Sequence, residues 1–229
     1  MVSMEQDSKS VLLKELGRAP RGFWESGRSY DLLRCLFREE SLRDLVPLLK
    51  ASDVWTQRVA LFLATELGHR ASEVLDEVLP HVTSPDRHVA YDALEVLLVC
   101  ATGDRVAEFW RVGAALSGSD PVLRRHAARL LSRATDEQVR VVVKLLREGW
   151  SSGQSGALEV LQDPASADVD GILTLLVDES AQVRLVTAAA ALRGFPRDGV
   201  VLNALVHSQD EDVRELGERH QRTSEEGAT

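Results

Sequence analysis

Arginine residues recur along one predicted helix at a spacing that places them on a single face. Arg125, Arg129 and Arg133 stand at positions i, i+4 and i+8 of the segment RRHAARLLSR. Like charges at this spacing disfavour an isolated helix by a few tenths of a kcal/mol per pair. This arginine ladder could dock an acidic protein, a phosphate or a nucleic acid. The alternative is a solvated face that acidic residues of neighbouring segments neutralise. The acidic candidates are Asp92, Glu95 and Glu159.

Aromatic residues form a second group with binding potential. The segment RGFWESGRSY, residues 21–30, interrupts the surrounding pattern with glycines and three aromatic rings. Phe23 and Trp24 are expected to plug the end of the fold or, alternatively, to anchor a partner, since buried aromatic anchors dominate many interfaces.

The remaining tryptophans divide by their local context. Trp150 lies in the polar, glycine-rich stretch REGWSSGQSG, where a large ring is hard to bury, and it is a candidate contact residue. Trp55 and Trp110 fall within helical patterns and are expected in the core.

Motifs of the common enzyme classes are absent from the sequence. It contains no GxxxxGK, GxGxxG, GxSxG or HExxH, and its six histidines have no ligand spacing. Cys35 and Cys100 stand alone within apolar helical patterns, which indicates small buried side chains rather than zinc or redox chemistry. We therefore predict a protein with no catalytic residues, no metal and no cofactor.

The charge balance argues against a duplex-DNA ligand. The 229 residues carry a net charge of −9, whereas proteins that neutralise phosphates usually have a basic surface. The positive charge is nearly all arginine, which reflects either a GC-rich genome or selection for bidentate anion contacts. The N-terminus is polar, and no run approaches the roughly 18 apolar residues of a membrane span. We expect a cytoplasmic protein without membrane contact.

A spacing of about 30 residues repeats along the chain. An Arg or Gln is followed three residues later by a small residue, and successive occurrences are 30 residues apart except for one step of 37. We assign five of the seven surplus residues to an extra turn in the helix containing 91–100 and two to the next segment. Such self-similarity is the signature of a solenoid. The positions are Gln57, Arg87, Arg124, Gln154, Arg184 and Arg214.

Each unit has the same internal order. A helix with apolar spacing, such as VRVVVKLL, leads to a short polar turn, such as SGSDP, and then to a second helix with small and apolar residues at i, i+4, i+7 and i+8. Asp, Ser and Pro in the turns favour helix N-caps and first turns. No segment alternates with period two for long enough to predict a strand. The sequence therefore predicts an all-α fold built from helix pairs.

These helix pairs resemble HEAT repeats, with a turn aspartate, an arginine near the start of the second helix and an alanine-rich face. Asp120 with Arg124 and Asp210 with Arg214 match the family pattern, whereas Gln57 departs from it. The resemblance covers roughly residues 41–220. It implies a right-handed α-solenoid of about seven stacked helix pairs, in which arginines pair with turn carboxylates across repeats.

The resemblance also sets the expected boundaries and the expected binding face. Residues 1–40 should form a degenerate N-terminal helical cap, 41–222 the repeats of the same domain, and 223–229 a disordered tail. In HEAT-like solenoids the second helices line a concave surface, where we expect a partner to bind. The candidate binding residues are Arg125, Arg129, Arg133, Arg87, Trp150 and Trp24.

These features favour a non-catalytic, monomeric scaffold or adaptor. An immunity or inhibitor protein would be one form of it. Its partner would be a protein with an acidic or mixed surface, because nucleic acid is disfavoured by the net charge of −9. Two alternatives rest on fold analogy. They are a HEAT-like DNA glycosylase of the alkylpurine type and a helper resembling the bilin lyases.

Overall fold

The computed structural model describes residues 2–100, 106–150 and 154–226, and within these ranges the backbone is helical with no strand. The prediction of an all-α fold is confirmed. None of the described helices is both long and apolar enough to cross a membrane. The α-helices are α1 Val2–Arg18, α2 Pro20–Glu25, α3 Arg28–Leu36, α4 Leu45–Leu49, α5 Val54–Glu66, α6 Leu75–Val78, α7 Arg87–Cys100, α8 Trp110–Ser117, α9 Pro121–Leu131, α10 Asp136–Gly149, α11 Ser155–Gln162, α12 Val169–Leu175, α13 Ala181–Gly194, α14 Gly199–Val206 and α15 Glu211–Glu226.

The chain divides into two compact units, Met1–Thr102 and Gly103–Thr229. In the first unit, α1 packs against α3, α4 against α5, and α6 against α7, while α5 also packs against α7. The helix expected at VLDEVLPHV is interrupted: α6 is flanked by 3-10 segments at Gly68–Val74 and Leu79–Thr83. Pro80 lacks the backbone N–H that a continuous helix would need there.

In the second unit, α8 packs against α9, α10 against α11, α12 against α13, and α14 against α15. Helix α13 also packs against both α11 and α15. Helix α9 departs from a simple succession of neighbours, because it contacts α13 and α15 as well as α8. The side of α9 that faces these helices is therefore covered by later parts of the chain.

Four of the turns before the second helices share one hydrogen-bonding pattern, which we call the turn clamp. The residue before the helix caps it, as when the Asp53 carboxylate accepts from the Thr56 N–H at 2.7 Å. Four residues later, a long polar side chain reaches back to a turn carbonyl six residues before it. Gln57 donates to Ala51 at 2.7 Å, and Arg184 donates to Asp178 at 2.6 Å. The clamp residues are Gln57, Arg124, Arg184 and Arg214.

The predicted register is wrong at Arg87. Asp86 caps α7 by accepting from the Val89 N–H, so Arg87 is the first residue of the helix and is exposed. Ala90 occupies the fourth position after the cap, where α5, α9, α13 and α15 have the clamp residue. Positions three apart share a helix face, so both Ala90 and Ala93 are buried and the spacing of small residues could not reveal the shift. The extra turn expected in the helix containing 91–100 stays a prediction, because the chain directly after Cys100, residues 101–105, lies outside the described residues.

In the second helices α5, α7, α9, α13 and α15, the seventh position after the cap is small and buried. In α15 it is Gly217, where an added Cβ would lie 2.8 Å from Leu205 Cβ and 3.1 Å from the Leu205 backbone carbon. Helices α14 and α15 therefore approach more closely than any side chain would allow. At the C-terminus, α15 continues to Glu226, so residues 223–226 of the predicted tail are helical, while 227–229 lie outside the described residues.

We expect Gly217→Ala to lower the free energy of unfolding by about 1–3 kcal/mol, because the Leu205 backbone cannot yield as a flexible side chain would. The matched control is Gly149→Ala, which meets nothing within 4 Å and removes a flexible residue from the end of α10. It should raise the free energy of unfolding by up to about 1 kcal/mol. Urea denaturation followed by circular dichroism measures both. If both substitutions changed the free energy of unfolding equally, the close approach of α14 and α15 at Gly217 would be contradicted.

Candidate functional site

The first residue of the arginine ladder is held by carboxylates of the same chain. The Arg125 guanidinium lies 2.6 Å from Glu215 and 3.3 Å from Asp212, both on α15, and its side chain is only 24% exposed. Of the two readings left open by the sequence, the salt-bridge network is therefore the one found at Arg125. The acidic partners were not foreseen, because they are some 90 positions further along the chain and come close only where α9 meets α15.

Burial has an electrostatic consequence at the carboxyl end of this network. It raises the pKa of Asp212, although the Arg125 charge acts in the opposite direction. The carboxylate is thus partly desolvated and depends on Arg125 for compensation. Arg125 therefore stabilises the fold, and its charge is not free to bind a partner protein.

The other two ladder arginines have different surroundings. Arg129 and Arg133 line a small pocket between the C-terminal ends of α9 and α13 and the middle of α15. Arg133 is exposed, and its side chain forms no ion pair within the described residues. Arg125 therefore lies in a salt-bridge network with α15, whereas Arg129 and Arg133 line the same pocket.

Arginines also join consecutive helix turns, as the repeat resemblance led us to expect. Arg184 donates its Nε to Asp210 at 2.7 Å, and Asp210 caps α15 by accepting from the Val213 N–H. Arg58 holds Asp86 by two hydrogen bonds of 3.1 and 2.6 Å, which lower the pKa of that carboxyl. Each of these arginines thus binds the cap of the next second helix.

Arg193 is a cross-linking residue that the sequence did not single out. From the last turn of α13 it donates to the Ala134 carbonyl at 3.1 Å and the Leu161 carbonyl at 3.2 Å, and it pairs with Asp136. Its side chain is 13% exposed. Only its place in a last helical turn was visible beforehand, and that position alone favours a basic residue at many helix ends.

The aromatic segment 21–30 contributes both to the core and to a surface. Phe23 is buried, in agreement with the plug reading. Trp24 is half-buried and meets Phe62 of α5 edge-on, with 5.4 Å between ring centroids. Tyr30 contacts the same Phe62 ring edge-on at 5.3 Å and remains 56% exposed.

Trp55 extends this group along α5 instead of entering the core. It lies seven residues, or two turns, before Phe62 and is half-buried. The guanidinium of Arg58 stacks 4.4 Å from its ring centroid and that of Arg21 5.4 Å. We call Trp24, Tyr30, Trp55 and Phe62 the aromatic surface. The spacing of Trp55, Arg58 and Phe62 at i, i+3 and i+7 was the signal that could have revealed it.

The other two tryptophans lie in the second unit. Trp110 was expected in the core, but it is 42% exposed and stacks under Arg111 at 4.5 Å. It begins α8 after a 3-10 turn, a position that a helical pattern does not distinguish from the helix interior. Trp150 follows α10 as its C-cap and is partly buried, next to residues 151–153, which lie outside the described ranges.

An acidic group lies near the aromatic surface, on α5 and α7. Burial, followed by the charges of Glu95 and Glu66, raises the pKa of Asp92 to about 7, while Arg58 acts to lower it. The region around the aromatic surface therefore combines cations with carboxylates. Among the described residues, no three His, Cys, Asp or Glu side chains are grouped so that they could hold a metal ion.

Comparison with known proteins provides no relative. No protein family model matches the sequence, and no curated protein is similar to it. Any inference about function therefore rests on the contacts described above.

We expect Arg125→Ala to lower the free energy of unfolding by about 1–3 kcal/mol, because it leaves the half-buried Asp212 without its compensating charge. Arg133→Ala is the matched control from the same ladder and should change stability by less than about 0.5 kcal/mol. Thermal unfolding of both variants measures the contrast. Equal stabilities would show that the Arg125 contacts do not support the fold.

The raised pKa of Asp92 predicts a pH-dependent stability. Because the folded state holds this proton more tightly than the unfolded state, stability from this group falls as the pH rises from about 4 to about 7. Asp92→Asn should therefore stabilise the protein by on the order of 2 kcal/mol at pH ~8 and by little at pH ~4. Asp163→Asn, at an exposed position, is the control. A gain that does not vary with pH would contradict the prediction.

Proposed function

We propose that this protein is a HEAT-like, right-handed α-solenoid that binds another protein without catalysing a reaction. We further propose that the partner docks on the aromatic surface of the first unit. The observation that carries this proposal is the group of rings at Trp24, Tyr30, Trp55 and Phe62, of which Tyr30 is exposed and the others half-buried, with two guanidinium groups stacked on Trp55.

Pairwise helix packing supports the solenoid part of the proposal. Seven helix pairs can be counted, three in the first unit and four in the second, if α1 is paired with α3. Every first helix packs against its own second helix. The turn clamp recurs at four of the turns, and Arg58 and Arg184 join successive caps, which is what repeated units of one kind require.

The chemistry of the aromatic surface supports a protein partner. Trp, Tyr and Arg are the residues most enriched among those that dominate binding energy at interfaces. Here they occur together: Trp55 lies beneath Arg58, and Tyr30 is exposed beside Phe62. The ring contacts hold the side chains in place before binding, so little rotamer entropy remains to be lost.

The surroundings of the aromatic surface define the kind of partner. Arg21 supplies an exposed cation, whereas Glu66, Asp92 and Glu95 supply carboxylates. A partner with an apolar or aromatic anchor and charges of both signs fits this mixture. The net charge of −9 continues to disfavour nucleic acid.

The inner face carrying Arg125 is a poorer docking site than the sequence suggested. Asp212 and Glu215 already neutralise that guanidinium, and a partner would have to displace them. Arg87 is exposed at the beginning of α7, away from the clamp position we assigned to it. The proposal therefore retains Trp24 as a contact residue and adds Tyr30, Trp55 and Phe62.

The test compares partner capture by matched variants. Tyr30→Ala and Trp55→Ala each remove one ring of the aromatic surface, while Phe37→Ala removes a ring of equal exposure, 54% against 56%, elsewhere in the same unit. Each purified protein is immobilised and incubated with lysate of the source organism, with and without nuclease. Bound proteins are then quantified by mass spectrometry, after circular dichroism has shown that each variant is folded.

We expect a nuclease-resistant protein to be captured by the wild type and by Phe37→Ala, and to be lost by about tenfold or more with Tyr30→Ala and Trp55→Ala. Capture that is equal in all four proteins would contradict the aromatic surface as the docking site. Capture of nucleic acid alone would contradict the protein-binding function itself.

A further inference from the structure

Three arginines from two different helices line one pocket in the second unit. Arg129 lies in the last turn of α9, Arg133 follows that helix, and Arg219 lies within α15. His220 and two hydroxyl groups complete its polar lining, and no carboxylate of the described residues lines it. The polar lining residues are Arg129, Ser132, Arg133, Arg219, His220 and Thr223.

The neighbouring carboxylate does not balance this charge. Glu215 lies 2.9 Å from Arg219 but also 2.6 Å from Arg125, so one carboxylate is shared between two guanidinium groups. Arg133 forms no ion pair within the described part of the chain. Arg133 and Arg219 thus bring positive charge to a pocket that no carboxylate of the described residues lines, in a protein whose net charge is −9.

The buried imidazole of His126, on α9, responds to the charges of two of these arginines. Burial, followed by the charges of Arg129 and Arg219, lowers the pKa of His126 to about 3. Both guanidinium groups are therefore close enough to act on a single point. The helix dipole explains only one of these two arginines. Arg129, in the last turn of α9, complements the dipole of that helix, but Arg219 lies inside α15.

From this geometry we propose that Arg129, Arg133 and Arg219 form a binding site for a phosphoryl dianion. The cavity has a volume of about 20 Å³, which admits a group the size of one water molecule or one phosphate oxygen. The remaining oxygens would lie outside, within reach of the exposed guanidinium of Arg133. Arginine suits this task because its planar fork donates two parallel hydrogen bonds to phosphate.

The hydroxyl groups and the histidine hold the walls of the pocket in place. Ser132 donates to the Arg129 carbonyl at 2.9 Å, and Thr223 donates to the His220 carbonyl at 3.0 Å. The His220 Nε2 atom lies 3.0 Å from the Pro196 carbonyl, which can only accept, so this nitrogen carries a proton. These contacts hold the side chains of Ser132, Thr223 and His220 in defined positions.

The experiment titrates the full chain with inorganic phosphate and, separately, with O-phosphoserine by isothermal calorimetry, each against chloride of equal ionic strength. Arg133→Gln removes a site cation that has no ion pair to lose, so folding is retained. Arg222→Gln is the matched control, since Arg222 is exposed on α15 and contacts only the Glu218 carbonyl. We expect wild-type binding in the millimolar range, weakened about five- to tenfold by Arg133→Gln and unchanged by Arg222→Gln.

The two ligands distinguish the source of the phosphoryl group. Tighter binding of O-phosphoserine assigns the site to phosphate esters, and tighter binding of inorganic phosphate assigns it to the free anion. The proposal is overturned if neither ligand binds more strongly than chloride. It is also overturned if both arginine variants weaken binding equally, because the effect would then be that of net charge.

Discussion

The polar backbone groups at the tight turn between paired helices are the constraint on which the rest of this structure depends. A second helix begins with N–H groups that have no partner, and the turn before it presents free carbonyls. Asp53 and Gln57 satisfy both sides, one by accepting from Thr56 and the other by donating to Ala51. Because the two side chains are four residues apart on the same helix, they fix where the second helix begins and which of its faces turns inward. Arg184 adds a third function by binding the next cap, Asp210.

Fixed helix starts allow close packing, and close packing decides where the large rings lie. Buried alanines and Gly217 let neighbouring backbones approach until no room for a side chain remains. Such a core accepts few aromatic residues, and in the described part of the chain Phe23 and Phe109 are the buried ones. The other rings lie on or near the surface, where Trp55 stacks against Arg58 and Phe62 meets Trp24 edge-on. The aromatic surface is therefore a consequence of the alanine-rich core that the composition already indicated.

The local features of this fold were predictable from the sequence, and the long-range ones were not. Turn residues, helix pairs and the 30-residue step follow from capping chemistry and periodicity. The register at Arg87 failed because a shift of three residues preserves the buried face of a helix. The ion-pair partners of Arg125 could not be predicted, for a different reason. They lie on α15, and the packing of α9 against α13 and α15 is not encoded in any sequence periodicity. Aromatic contacts such as Trp24 with Phe62 also join distant segments and were likewise hidden.

The contacts of the arginines give a structural reason for the scarcity of lysine. Arg193 donates to two carbonyls and pairs with Asp136, and Arg70 donates to the carbonyls of three residues between Leu36 and Glu39. An ammonium group is a point charge and could not span these acceptors, whereas a guanidinium fork can. Arginine is thus the residue that joins helix ends in this protein, and most of its guanidinium groups are engaged within the chain. Arg133 differs from these arginines in its surroundings, not in its residue type. It is exposed, it lines a pocket with two other arginines, and it forms no ion pair within the described residues.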